Sequence, residues 1–212
     1  MFPADQFLVT GPRDQTAATL ILAHGAGAPM DHEFMNRIAS GLADENVRVV
    51  RFEFPYMARR RITGKSRPPD SANVLQQTWR DVITRFAESP LLIGGKSMGG
   101  RIASMVADEA SPVAGVACLG YPFHPVGKPD RLRIGHLAGI KTPVLVVQGD
   151  RDPFGNQHEV TGYRLGRQVR IHWLADGDHS FEPRKASGRT LQQNLAEAVR
   201  AVAGFVRDCL SD

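Results

Sequence analysis

A chain of 212 residues, 42% hydrophobic and 23% charged with a formal net charge of +4, has the composition of an ordinary water-soluble globular protein. At this length about 70% of the unfolded surface can be buried, so neither a structural metal nor a disulfide framework is needed, and two cysteines, Cys118 and Cys209, make no such framework. Met1–Gln6 carries no basic n-region or apolar core of a signal peptide, and no apolar stretch approaches the length of a membrane span. These readings point to one domain over residues 1–212, in a reducing cytoplasm.

Phe7 to Val9 is the one visible strand candidate before Thr19. Thr19 to Ala23 is a short apolar strand candidate, followed at once by His24-Gly25-Ala26-Gly27. Asp31 is placed to cap a helix running to about Asp44, with Phe34, Ile38 and Leu42 on one face. Val47 to Phe52 reads as the next strand, rich in β-branched residues. Phe54 to Ser71 reads as a long irregular segment carrying Arg59, Arg60, Arg61, Lys65 and Arg67. Val74, Leu75, Thr78, Val82 and Phe86 then recur at helical spacing. Leu91 to Ile93 leads into Gly94-Gly95-Lys96-Ser97-Met98-Gly99-Gly100, and Ile102 to Ala110 looks helical. Val113 to Leu119 and Pro143 to Gln148 are apolar runs of the buried-strand type. Gln157 to Leu165 is a weak helix candidate, and Val169 to Leu174 is the final strand. Thr190 to Leu210 closes the chain with Leu191, Leu195, Val199, Val202 and Val206 on one helical face and Cys209 after it.

Short apolar strands alternating with helices predict an α/β fold with a mostly parallel sheet covered on both faces. Ligands in such sheets bind at the carboxyl ends of the strands. The polar clusters at His24–Ala28, Gly94–Gly100, Asp150–Asp152 and Asp176–His179 all fall at such ends. Tyr121 to Lys141 is too short for a large cap domain.

Gly95-Lys96-Ser97-Met98-Gly99 matches the G-x-S-x-G nucleophile elbow between a strand and a helix. The rival reading is a phosphate loop, which needs a glycine five residues before the final one. Pro90 stands there, and Arg59 stands at the equivalent place before Gly64-Lys65-Ser66, so both matches fail.

A nucleophilic serine needs a base, and the base needs an orienting acid. His179 follows the last strand and is the best base; His24, His32, His124, His136, His158 and His172 fit less well. Asp152 is the preferred acid, with Asp150 in the same loop as the alternative, and the one not used would serve the loop through backbone hydrogen bonds. The backbone N–H groups of Met98 and Ala26 are the candidate oxyanion donors, with His24 bracing its loop rather than reacting.

These residues resemble the α/β-hydrolase superfamily. The segments Gly94-Gly95-Lys96-Ser97-Met98-Gly99-Gly100-Arg101 and Gln148-Gly149-Asp150-Arg151-Asp152-Pro153-Phe154-Gly155 are similar to a small capless subfamily. That subfamily resembles dienelactone hydrolases and includes the hydrolase-like region of a chromatin acetyltransferase complex subunit. The resemblance implies an eight-stranded, mostly parallel sheet and cleavage of an ester, thioester or amide without a metal or other cofactor. Its spacing places the acid on Asp152, and it puts Ser97 where dienelactone enzymes commonly carry cysteine.

The expectation is a metal-independent serine hydrolase of the carboxylesterase or thioesterase type. Its partner is a small acyl substrate, for which the basic segment leaves an anionic group as an option. The alternatives are a non-catalytic interaction domain on the same fold and a basic nucleic-acid-binding domain. The last is disfavoured, because the arginines lack interleaved aromatic residues and no nucleic-acid motif is present. Nothing in the sequence states the oligomeric state.

Overall fold

A computed structural model describes residues 7–12, 18–87, 91–109 and 113–211. The strands are β1 (Phe7–Thr10), β2 (Thr19–Ala23), β3 (Arg48–Phe52), β4 (Leu91–Lys96), β5 (Val113–Leu119), β6 (Val144–Gly149) and β7 (Val169–Leu174). The helices are α1 (Glu33–Asp44), α2 (Pro55–Thr63), α3 (Ala72–Arg85), α4 (Met98–Val106), α5 (Gln157–Val160) and α6 (Leu191–Ser211). The strands form one sheet in the order β1-β3-β2-β4-β5-β6-β7. β1 runs antiparallel to β3, and every other pairing is parallel.

Period-two alternation sorts the central strands onto two cores. Leu20 and Leu22 of β2 face one side with Leu92, Ala117, Leu145 and Val147, against Ile38 and Leu42 of α1 and Leu195, Val199 and Val202 of α6. Ile21 and Ala23 face the other side with Val50, Ile93, Val116 and Val146, against Trp79 and Val82 of α3 and Ile102 of α4. Burying one such aliphatic side chain contributes about 1.5–3 kcal/mol. This two-sided burial is why the strands read as continuous apolar runs.

Among the described residues the sheet has seven strands, where the resemblance implied eight. Phe7 to Val9 lies within β1, which pairs as an edge strand with Phe7 opposite Phe52. His32, not Asp31, caps α1: its imidazole accepts from Phe34 N–H, while Asp31 is drawn to Arg61. Part of the expected irregular segment is α2. Pro55 opens it with a preset φ, and Gly64 ends it in the left-handed conformation. On α3, Val74 is exposed, and Trp79 and Ile83 fill the core instead. The helix after the elbow starts at Met98, ahead of Ile102, and residue 110 lies outside the described residues. The expected helix from Gln157 stops at Val160, after a capping box between Asn156 and Glu159. Cys209 lies within α6, and Cys118 is buried in β5.

No large cap domain covers the sheet; between β5 and β6 the described chain forms only turns and bends. No described helix is long and apolar enough to cross a membrane.

Candidate active site

Ser97 sits between β4 and α4 with φ 52° and ψ −114°, a conformation that L residues seldom hold. Close packing of the elbow against β2 over-determines it. A Cβ on Gly99 would lie 2.5 Å from the Ala23 carbonyl oxygen, and one on Gly95 would collide with that same carbonyl. The Ser97 N–H is spent on Leu119 O at 3.0 Å. Met98 opens α4, so its N–H has no intrahelical acceptor and points out from the helix start beside the serine.

His179 follows β7. Its Nδ1 lies 2.7 Å from Asp152 Oδ2 and its Nε2 lies 2.9 Å from Ser97 Oγ. A carboxylate can only accept, so Nδ1 carries the proton and Nε2 accepts from the serine hydroxyl. Burial first, and the Lys96 charge after it, hold the imidazole below its ordinary pKa, against the opposing hydrogen bond and charge of Asp152. The Phe154 ring packs 4.3 Å from the imidazole, centroid to centroid.

Asp152 is 0% exposed. Its Oδ1 accepts from Phe154 N–H at 2.8 Å, and its Oδ2 accepts from Gln148 Nε2 at 2.9 Å. Gln148, the last residue but one of β6, is fully buried. Its Oε1 also accepts from Tyr121 N–H at 2.7 Å, which joins the ends of β5 and β6. Asp150 plays a different part. Its N–H donates to Leu174 O and its carbonyl accepts from Gln157 N–H, so its backbone holds the loop. Its carboxylate does not do so: Oδ1 is buried with no hydrogen-bond partner among the described residues.

The loop after β2 forms the facing wall. His24 Nδ1 donates to Gly25 O at 2.6 Å, and Nε2 accepts from Phe54 N–H at 3.1 Å. That pattern needs the neutral ring, and burial lowers the His24 pKa accordingly. Tyr56 Oη donates to Ala26 O at 2.9 Å, and Arg60 reaches Gly27 O at 3.1 Å. Ala26 therefore lies on a braced loop at the mouth of a pocket of about 300 Å3 that also holds Ser97, His179, Phe34 and Phe154. Its walls are mostly apolar. A larger cleft of about 580 Å3, lined by Arg167, Arg170 and Arg207, lies at the opposite end of β6 and β7 and contains none of these groups.

The structure thus brings Ser97, His179 and Asp152 into one hydrogen-bonded chain, with Ala26 and Met98 beside it and the Asp150 side chain outside it. Gln148, Tyr56 and Lys96 are parts of the site to which sequence reasoning assigned no role. A glutamine closing the apolar run Val144–Val147 was the available signal for the first. Among the described residues no group of three or more His, Cys, Asp or Glu is arranged to hold a metal ion.

The sequence profile of a family described as an alpha/beta hydrolase domain matches residues 16–207. The chain belongs to the α/β-hydrolase family. An α/β serine hydrolase homologue from Coxiella burnetii has a TM-score of 0.67 at 20% identity, over 94% of this chain and 90% of that one. Est1E from Butyrivibrio proteoclasticus with ferulic acid bound gives 0.72 at 12% identity, over 97% and 95%. A lidless α/β serine hydrolase from Xanthomonas campestris gives 0.66 at 21% identity, over 92% and 88%. At these identities the likeness is one of fold. Family membership supports hydrolase-type catalysis.

Proposed function

We propose that this α/β hydrolase is a serine hydrolase that cleaves a compact carboxylic ester or thioester through an acyl-enzyme. The observation that carries this reading is the continuous chain Ser97 Oγ, His179 Nε2, His179 Nδ1, Asp152 Oδ2, with contacts of 2.9 and 2.7 Å. His179 takes the serine proton as Oγ bonds to the acyl carbon, and the carbonyl electrons move onto its oxygen. The N–H groups of Ala26 and Met98 stabilise that oxyanion. Collapse expels the alcohol or thiol, which takes the proton from His179. Water, deprotonated by the same imidazole, then releases the acid and restores Ser97. Asp152 keeps Nδ1 protonated throughout.

A small pocket with mostly apolar walls suits a short or compact acyl group. Charge steering of an anionic substrate has little support. Arg59 is paired with Asp70, and Arg61 with Glu53 and Asp31, which leaves Arg60 the one member of the triplet without a carboxylate partner among the described residues.

A fluorophosphonate probe tests the proposal, together with a panel of neutral and anionic short-chain esters and acyl-thioesters. Expected are stoichiometric labelling that Ser97→Ala abolishes and turnover of neutral short-chain substrates. Folded protein that neither labels nor turns over any of them would favour a non-catalytic domain.

A further inference from the structure

Lys96 is a long cationic side chain placed immediately before the nucleophile, and the proposed reaction makes no use of it. As the last residue of β4 it pairs with Leu119 at the end of β5. Its side chain runs into the space beyond that strand end. A Cβ on Gly120 would lie 2.7 Å from Lys96 Nζ, so the bare backbone there forms one wall of the ammonium's chamber. The rings of Phe34 and Phe181 stand 5.4 and 5.8 Å from Nζ, within reach of a cation–π contact. Nζ donates to the carbonyl oxygen of His179 at 2.5 Å. A lysine placed only to coat the surface would extend into water; this one turns inward to a backbone atom of the base.

We propose that Lys96 is a positioning residue built into the elbow, its ammonium tying the His179 loop to the end of β4 and setting a fixed positive charge behind the imidazole. The tie matters because His179 is carried by a loop, whereas Ser97 is carried by the sheet. One strong hydrogen bond from the residue adjoining the nucleophile to the residue carrying the base makes their separation a local quantity. The charge matters because a neighbouring cation disfavours imidazolium. Asp152 and Asp178 face both groups with the opposite sign; Phe34 from α1 and Gly120 after β5 bring no titratable group. Burial in this chamber pulls the lysine itself down to about 8, so the cation is present throughout the range in which the imidazole titrates.

This inference rests on His179 serving as the base, and its test is chosen to be readable without turnover. The His179 ring signal, assigned by its loss in His179→Asn, is titrated by NMR in wild type, Lys96→Met and Lys96→Arg. In wild type it titrates below about 6.5. Lys96→Met, which keeps the bulk and removes the charge, raises it by about one unit, and Lys96→Arg returns it toward wild type. With a substrate, the acid limb of kcat/KM moves with the ring, and the plateau in Lys96→Met falls about tenfold as the loop loosens. A ring that titrates identically in wild type and Lys96→Met overturns the proposal. If neither variant folds, lysine 13Cε spectra of the wild type decide: one of the five lysines titrating near 8 supports it, and all five titrating near the ordinary 10.4 overturn it. A shifted ring in a protein with no hydrolytic activity would sink the hydrolase reading and leave standing only the placement of the Lys96 charge behind the His179 ring.

Discussion

The strand ends around Ser97 and the arginine-bearing helix α2 both concentrate polar groups at the carboxyl edge of the sheet, and they are built on opposite plans. At the strand ends, Gln148, Asp152 and His24 are buried, and each is hydrogen-bonded to a specific atom of another segment. Around α2, Arg59 and Arg61 are about half exposed and reach Asp70 and Asp31 from the solvent side. A buried polar group left unpaired costs about 1–3 kcal/mol, whereas an exposed ion pair contributes about 0–1 kcal/mol. The first region is therefore intolerant and specific, and the second is largely replaceable. Its exceptions are two carboxylates: Glu53, the other partner of Arg61, is buried, and Asp70 also accepts from Tyr56 N–H.

The sharpest way to break that contrast is at the proposed nucleophile. Ser97→Ala is expected to lower kcat by roughly a millionfold, as loss of a triad member does elsewhere, with an unchanged circular dichroism spectrum. Residual turnover within about tenfold of wild type would remove Ser97 from the reaction. Asp152→Asn comes next. It leaves Nδ1 facing an amide that can present a donor, and kcat is expected to drop by about ten-thousandfold. Asp150→Asn in the same loop should cost less than about tenfold, and parallel kinetics on the two purified variants measure the difference. Equal losses would mean that both carboxylates serve the base.

Gln148→Leu tests whether the buried network beneath the triad carries stability as well as geometry. It deletes a donor to Asp152 and the acceptor of Tyr121 N–H, and should destabilise the fold by about 1–3 kcal/mol in urea titration. The pH profile follows. With His179 as the proposed base, protonation removes its function, so kcat/KM should fall as pH drops through its apparent pKa, about tenfold per unit. Burial and Lys96 place that limb below the usual 6.5. A limb above about 7 in wild type, with chemistry rate-limiting, would contradict the environment described for the imidazole. The smallest effect is expected at Arg59→Ala: a stability change under about 1 kcal/mol and kcat/KM within about threefold for neutral and anionic esters alike. Selective loss with the anionic ester would restore a steering role for the basic segment.

The same contrast separates what was legible in the sequence from what was not. Runs such as Leu20–Leu22 and Val144–Val147 are visible because burial on both faces removes polar alternatives. The order of serine, aspartates and histidine along the chain, each after such a run, points to one edge of one sheet. Helix α2 is hidden in the sequence because its arginines dilute the apolar face to Tyr56 and Met57, although Pro55 and Gly64 mark its two ends. The choice between Asp150 and Asp152 rests on which carboxylate turns inward at the loop, a matter of a few dihedral angles. Lys96 was illegible for a different reason: its partner lies 83 residues away, and nothing local to Gly95-Lys96-Ser97 says that the chain end of β7 will fold over it.

The tight packing of the elbow leads to an asymmetry in what can be exchanged. Its obstacles are backbone atoms: the Ala23 carbonyl faces both Gly95 and Gly99, and no change of side chain elsewhere can move it aside. What the scaffold specifies at position 97 is a location for whatever hangs from its Cβ. A thiol introduced there as Ser97→Cys would arrive at the same point, facing the same imidazole, whereas an alanine at either flanking glycine would move that point itself. The side chain at position 97 is the replaceable part, and the packed backbone that presents it is the fixed one.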